Sequence, residues 1–278
     1  MPVITLTTDW GLKDPYAGAV KGSLLRLCPE ASVVDISHNV PLFDIIQASY
    51  ILRNTYRDFP EGTVHIVEVK AHADEHPTHI VIQAEGQYFI GPDNGIFPLV
   101  LDKKIEHIFE LSTNNYYSPF PTKDIYVKAA SHLAKGGQAA ILGAPKEKII
   151  EKMLFKPTLE PASIRGSVIF VDDFGNLITN ISRELFEEIA QDRPFTLFLR
   201  RFEYEITQLH RHYAEVPEGE KLALFNNAGL LEIAINHGKA STLLGMSFND
   251  SIRIEFNDHK NSANDLHAWK GRNLSGGI

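Results

Sequence analysis

Strand-like runs alternate with helical patterns over the first half of the chain and then give way to strands alone, and this change of texture limits what it can fold into. VITLTT (3–8) is a short β-rich run, and Asp14 with Pro15 supplies an N-cap and first-turn pair for a helix reaching about Cys28. SVVDIS (32–37), a helical pattern around Phe43 to Asn54, the strand TVHIVEV (63–69) and a hairpin HIVIQAEGQYFIGPDNG (79–95) follow. A later helix over about Ile125 to Lys135 ends at Gly136 and Gly137, which suit a C-cap. This alternation predicts an α/β N-terminal domain with a central, largely parallel sheet, over 1–158. Beyond Lys156, KPTLEPASIRG brings two prolines and small residues. SVIFVDDFGNLITNI, RPFTLFLRRFEYEI, KLALFNNAGLLEIAI and SIRIEF then read as strands joined by tight turns. They predict an all-β, barrel-like C-terminal domain over 164–256. The polar stretch 257–278 has no periodicity and is expected to be a disordered tail.

Composition bounds the function. With 278 residues, 44% of them hydrophobic, the chain carries enough apolar material for two domains. Its formal net charge of −8 and pI near 5.8 argue against nucleic acid as a partner, because that affinity rests on clustered Lys and Arg. It has neither an apolar run long enough to span a membrane nor a charged-then-apolar signal peptide. A single cysteine, Cys28, rules out an intramolecular disulfide. A cytoplasmic protein with no membrane association is expected, and Cys28, near the end of an apolar helical pattern, reads as a packed thiol.

Several short stretches carry polar groups where ligands collect. Asp9, in TTDWGLKD, stands at the end of the first strand, where open α/β sheets bind their ligands. Together with Asp14 it offers acceptors for a vicinal diol, although an Asx-turn at Asp9 and a helix cap at Asp14 are the plainer readings. Phe43, after VDISHNVPL, suits either a flat ligand or the core, and His38 reads as a satisfied structural histidine. Asn94-Gly95 signals a tight turn. In VDDFGNLITN, Asp172 and Asn176 can converge beside the turn between two strands. VEVKAHADEHPTHI (67–80) gathers three histidines, an aspartate, two glutamates and a lysine. Its His72, Asp74 and His76 alternate at period two and would face one way in an extended segment. Pro77 and Glu75 break a regular strand there, so a solvated loop is favoured over a metal site, and no metal is expected.

Taken jointly, TTDWGLKDPYAGAVKG, VVDISHNVPLFDIIQASYIL, FPEGTVHIVEV, YFIGPDNGIF, VDDFGNLITNI and LFNNAGLLEIAINHGKAS resemble the S-adenosylmethionine (SAM) hydroxide adenosyltransferase family. These are adenosine-forming SAM hydrolases related to fluorinase and chlorinase. The motifs occur in family order and cover nearly the whole chain to about residue 256. The resemblance implies a cytoplasmic homotrimer, free of cofactor and metal, whose site lies between the N-terminal domain of one subunit and the C-terminal domain of a neighbour. By the same implication Asp9 holds the ribose hydroxyls with Asp14 nearby, and Phe43 and Phe120 line the nucleoside pocket. Asp172 and Asn176 of the adjoining subunit meet the methionine end, and Phe225, Asn226 and Asn227 lie near the adenine.

The pattern breaks where the hydrolases prepare water. Their segment after this strand resembles V-D-P-G-V-G-T-x-R-R, and a later motif F-H-G-R-D supplies a histidine. Here Lys70 stands at the expected aspartate, no arginine occurs between Arg57 and Arg165, and the later motif reads Phe120, Pro121, Thr122, Lys123, Asp124. Three readings follow: a protein that binds SAM or adenosine without turnover, catalysis rebuilt on replacement residues such as Lys70, or halide use with Thr122 as the small hydroxyl residue. The expected activity is that of the family, hydrolysis of SAM to adenosine and methionine by attack at ribose C5′.

Overall fold

A computed structural model of the chain describes residues 1–71, 77–101, 104–112, 118–153, 156–199 and 205–257. The expected tail beyond Asn257 and the His72, Asp74, His76 cluster lie outside the described residues. The chain divides into two compact units, Met1–Leu154 and Phe155–Ile278.

In the first unit the elements run β1 (Val3–Thr8), α1 (Tyr16–Leu27), β2 (Ser32–Ser37), α2 (Ile45–Arg53), β3 (Val64–Glu68), β4 (His79–Ala84), β5 (Gln87–Pro92), α3 (Ile96–Leu101) and β6 (Ile105–Leu111). A π-helical turn (Thr122–Tyr126), α4 (Val127–Ala134) and β7 (Gly143–Pro145) complete it. The sheet order is β2-β1-β3-β5-β4-β6-β7. The expectation of a largely parallel sheet is corrected: β2–β1, β1–β3 and β3–β5 pair parallel, whereas β5–β4, β4–β6 and β6–β7 pair antiparallel. The reason is the turn at Glu85 and Gly86, both at positive φ (50° and 73°). Two such residues make a hairpin, and a hairpin can only produce antiparallel neighbours. The sheet is therefore mixed.

One face of this sheet packs Val20 and Leu24 of α1 and Val127, Ala130 and Leu133 of α4 against Ile4, Leu6, Val64 and Ile66. The other packs Ala48 and Leu52 of α2 and Phe97 and Val100 of α3 against Val67, Ile80, Ile82 and Phe89. Strand β3 is buried at all five positions, VHIVE, as a strand covered on both faces must be. Two of those five side chains are nevertheless titratable. His65 is fully satisfied: Nδ1 lies 2.7 Å from Thr5 Oγ1 and Nε2 lies 2.8 Å from Gln87 Oε1. The Gln87 amide N–H groups donate to the carbonyls of Tyr56 and Phe59, which orients its oxygen toward the ring. Nε2 is therefore the protonated nitrogen, and Nδ1 accepts from the Thr5 hydroxyl.

In the second unit β8 (Thr158–Glu160), β9 (Ser163–Val171), β10 (Leu177–Ser182), α5 (Arg183–Ala190), β11 (Phe195–Phe198), β12 (Glu205–Ile206), β13 (Lys221–Phe225), β14 (Leu230–Ile235), α6 (Ala240–Leu243) and β15 (Ser251–Phe256) follow. Its sheet runs β12-β11-β15-β9-β10-β14-β13, with β8 beside β9, and every pairing of named strands is antiparallel. A bridge between Leu209 and Ala223 brings the chain after β12 onto β13, so the sheet is a nearly closed barrel. The unit is not wholly β. RELFEEIA forms α5 because Ser182 caps it, accepting from the Leu185 N–H, and because Phe186 and Ala190 share a buried face. Phe186 meets Phe195, Phe225 and Phe256 at ring-centroid distances of 5.2, 5.6 and 5.5 Å. Among the described residues no helix is long and apolar enough to cross a membrane.

Burial holds the His65 pKa down at about 4, against 6.5 for an ordinary histidine. Between those values the unfolded chain binds a proton that the folded chain refuses, so stability is fully present above pH 6.5 and is lost as pH falls toward 4. Urea denaturation across this range is expected to show a loss on the order of 3 kcal/mol from this residue, absent in a His65→Gln variant.

Candidate functional site

The carboxyl ends of β1, β2 and β3 open into a cleft of about 560 Å³ lined by Asp9, Trp10, Asp14, Tyr16, Leu42, Phe43, Glu68, Lys70, Ala71, Pro119 and Phe120. That volume is in the range of small-molecule sites. Asp9 organises it. Its Oδ2 accepts from the Phe43 N–H at 2.9 Å and, more weakly, from the Lys70 N–H at 3.4 Å. Phe43 and Lys70 both lie in the left-handed region, at φ 64° and 54°, which non-glycine residues avoid at a cost of about 1–3 kcal/mol each. One carboxylate thus joins two strained turns. The plainer expectation of an Asx-turn at Asp9 gives way to this long-range pairing.

The turn before α2 is anchored by Asp44, whose Oδ1 accepts from the N–H groups of Ile46 and Gln47 while the Gln47 amide donates to Oδ2. Phe43, immediately outside this cap, is 66% exposed, so the core reading of its ring is overturned. The turn after β3 is held from the other side by Asn94, whose amide donates to the carbonyls of Val69 and Lys70 and whose oxygen accepts from the Ile96 N–H at the start of α3. The Asn94-Gly95 signal therefore marks a brace for the cleft loop. Asp14 does not cap α1; Pro15 occupies the N-cap position in helical conformation with no side-chain cap bond, and Asp14 lines the cleft.

The walls are aromatic. Phe120 makes edge contacts with Trp10 and Tyr16, both at 5.4 Å, and Trp10 stacks on the His38 ring at 5.9 Å. His38 is buried, with Nδ1 2.7 Å from Thr8 Oγ1; its Nε2 lies 3.2 Å from Asp35 Oδ1 but makes no hydrogen bond, so the expectation of a satisfied histidine holds for one ring nitrogen only. Such faces suit a flat ring or an organic cation.

Glu68, at the end of β3, forms the floor. It is 4% exposed, lies near the Trp10 indole and the Thr122 backbone N–H, whose dipoles favour its ionised form, and leaves Oε2 buried without a partner. Burial, with the nearby charge of Asp9, pushes its carboxyl up to about 8, so at neutral pH it is mostly protonated. Tyr126, in the π-helical turn behind it, is held well above the usual phenol range by burial and by Glu68, and its hydroxyl lies 2.7 Å from His79 Nδ1. The Thr122 side chain is fully buried, has no partner for Oγ1, and is not part of the cleft lining.

Of the sequence-predicted residues, Asp9, Asp14, Phe43, Lys70 and Phe120 meet in the cleft. Trp10, Tyr16 and Glu68 were missed. Their signals were aromatics bracketing the two aspartates and a carboxylate ending an apolar strand. In the second unit Asp172 and Asn176 do converge: Asp172 accepts from the Asn176 N–H at 2.8 Å and from its amide at 3.0 Å, across a turn made by Gly175 at φ 82°. Phe174 at the tip is 78% exposed. Asn226 is engaged locally, accepting from the N–H groups of Ala228 and Leu230 and donating to the buried Glu232. Phe225 packs on Phe186 with the Arg183 guanidinium 4.6 Å above its ring, and Asn227 is exposed. Cys28 is fully buried. Among the described residues no group of three or more His, Cys, Asp or Glu gathers to hold a metal.

A mixed α/β unit with an acidic, aromatic-walled cleft at its strand ends, followed by an antiparallel barrel-like unit, defines the structural class. The chain belongs to the SAM hydroxide adenosyltransferase family, matching its N-terminal domain over residues 4–143 and its C-terminal domain over 166–253. Proteins named (R)-S-adenosyl-L-methionine hydrolase from Methanocaldococcus jannaschii and Thermus thermophilus are each 30% identical, over 91% of this chain and 96% and 100% of their own lengths. A fluorinase from an Actinoplanes species is 25% identical over 84% of this chain and 91% of its own. The crystal structure of an uncharacterized conserved protein from Thermotoga maritima aligns with a TM-score of 0.82 and 32% identity, covering 91% of this chain and 99% of that one.

Strain in the two turns has a measurable consequence. Phe43→Gly, which removes an exposed ring from a left-handed position, is expected to raise stability by about 1 kcal/mol in urea denaturation. Asp9→Ala, which strips both turns of their acceptor, is expected to lower it by about 1–3 kcal/mol.

Proposed function

We propose that this protein hydrolyses SAM to adenosine and methionine, water attacking ribose C5′ in the cleft. The observation that carries this reading is the pairing of the acidic side chains Asp9 and Asp14 with the aromatic walls of Trp10, Tyr16, Phe43 and Phe120. Carboxylates accept from a ribose diol, aromatic faces suit adenine, and negative charge draws in a sulfonium. Relatives of full matching length named as SAM hydrolases support the same reading. With the sulfonium already a good leaving group, the site's task is to hold a desolvated water in line with C5′. The proposal extends to a cytoplasmic homotrimer in which Asp172 and Asn176 of a neighbouring subunit receive the methionine end, with Phe225, Asn226 and Asn227 toward the adenine.

A second reading, binding of SAM or adenosine without turnover, draws on Lys70 and Pro121, which stand where the resembled hydrolases carry an acid and a histidine. A halide-using transferase is less well supported, since the Thr122 side chain is buried outside the cleft lining.

Incubation of the purified protein with SAM, with and without chloride, is expected to yield adenosine and methionine in equal amounts by chromatography, and no 5′-chloronucleoside. Calorimetric SAM binding with no product above a heat-killed control would favour the silent reading. Light scattering is expected to give three times the chain mass of 31.1 kDa.

A further inference from the structure

We infer that Glu68 is the base that takes the proton from the attacking water in this chain, a role moved two residues back, to the end of β3, from the position that Lys70 occupies in the following turn. The inference rests on the SAM hydrolase reading and gives its chemistry a residue.

Three observations converge on Glu68. It is the one carboxylate among the cleft-lining residues that is buried, and its buried Oε2 has no hydrogen-bond partner. The Trp10 indole and the Thr122 N–H lie beside the group and favour its ionised form, the second from a π-helical turn, a local distortion often found at functional sites. The alternatives along the lining are less suitable. Asp9 spends Oδ2 on the Phe43 and Lys70 backbones, Asp14 is exposed, and the Lys70 ammonium has no acceptor while it is charged.

The balance of the step favours a buried base. The water oxygen bonds to C5′, one of its protons passes to the Glu68 carboxylate, and the C5′–S bond breaks with its electron pair left on sulfur. A carboxylate, a sulfonium and a water become a carboxylic acid, a thioether and an alcohol. Opposite charges disappear, and a desolvated site promotes such a step more than water does. The desolvation that raises the carboxyl to about 8 also makes it a stronger base once ionised.

The groups facing Glu68 set its pH dependence. Asp9, from the end of β1, raises it; Tyr126, from the π-helical turn, is itself raised by it and stays a neutral phenol; Asp14 and Lys70 complete the charged lining of the cleft. In the free protein the ionised form accumulates only as pH rises through about 8, so kcat/KM is expected to climb across that value. A bound sulfonium favours the carboxylate, so the corresponding limb in kcat is expected at lower pH.

The test follows adenosine formation from SAM between pH 6 and 10, with SAM binding measured by calorimetry at each pH. Glu68→Gln keeps the size and hydrogen-bonding capacity of the protonated side chain. It is expected to bind SAM at pH 7 within about threefold of the native protein, to lose about 100-fold or more in kcat, and to lose the rising limb. Glu68→Asp is expected to be slow but to keep the limb. A native profile flat through pH 8, or a Glu68→Gln variant that turns over at the native rate, would overturn the assignment while leaving SAM hydrolysis standing. If the native protein binds SAM and forms no adenosine at any pH, the hydrolase reading fails and the assignment with it.

Discussion

The hydrogen bonds accepted by Asp9 are the constraint on which the cleft depends. A carboxylate at the end of β1 reaches backbone N–H groups in the loops after β2 and β3, and both receiving residues hold a left-handed conformation that neither a phenylalanine nor a lysine adopts freely. The turn before α2 and the turn after β3 are then over-determined by Asp44 and Asn94, which cap the helices on either side. Local strain is stored where the ligand is proposed to bind, and the surrounding caps keep it there.

Burial of polar groups in β3 divides into two kinds. His65 is enclosed but fully paired, so it contributes order to the sheet and costs stability only when acid forces a proton onto it. Glu68, three residues along, is enclosed with its Oε2 unpaired. A fold tolerates an unsatisfied buried oxygen at a cost of about 1–3 kcal/mol, and it does so most often where that atom has work to perform. The two residues share a strand and a degree of burial, and their partners alone give them different roles.

In the second unit the barrel-like sheet closes around Phe186, and its hairpin turn between β9 and β10 fixes Asp172 against Asn176 through two side-chain contacts. Glu232 repeats at this unit the theme of a buried, raised carboxyl, but here the Tyr213 hydroxyl at 2.6 Å and the Asn226 amide answer it.

Much of this protein was legible in its residues. Periodicity located the elements, the break near Lys156 separated two textures, and Asp9, Asp14, Phe43, Lys70 and Phe120, which line the cleft, were each singled out as candidate site residues beside plainer readings. Such features are local, because period, turn residues and motif order are written along the chain. The antiparallel addition of β6 and β7 to the predicted hairpin, the failure of Asp14 to cap α1 and the standing of Glu68 were decided only by tertiary structure. Strand direction depends on which neighbours pair, and a carboxyl's proton affinity depends on the solvent and charges that folding removes or brings near. A glutamate ending an apolar strand reads the same on paper whether it meets water or, as here, a closed floor beside Asp9 and Trp10.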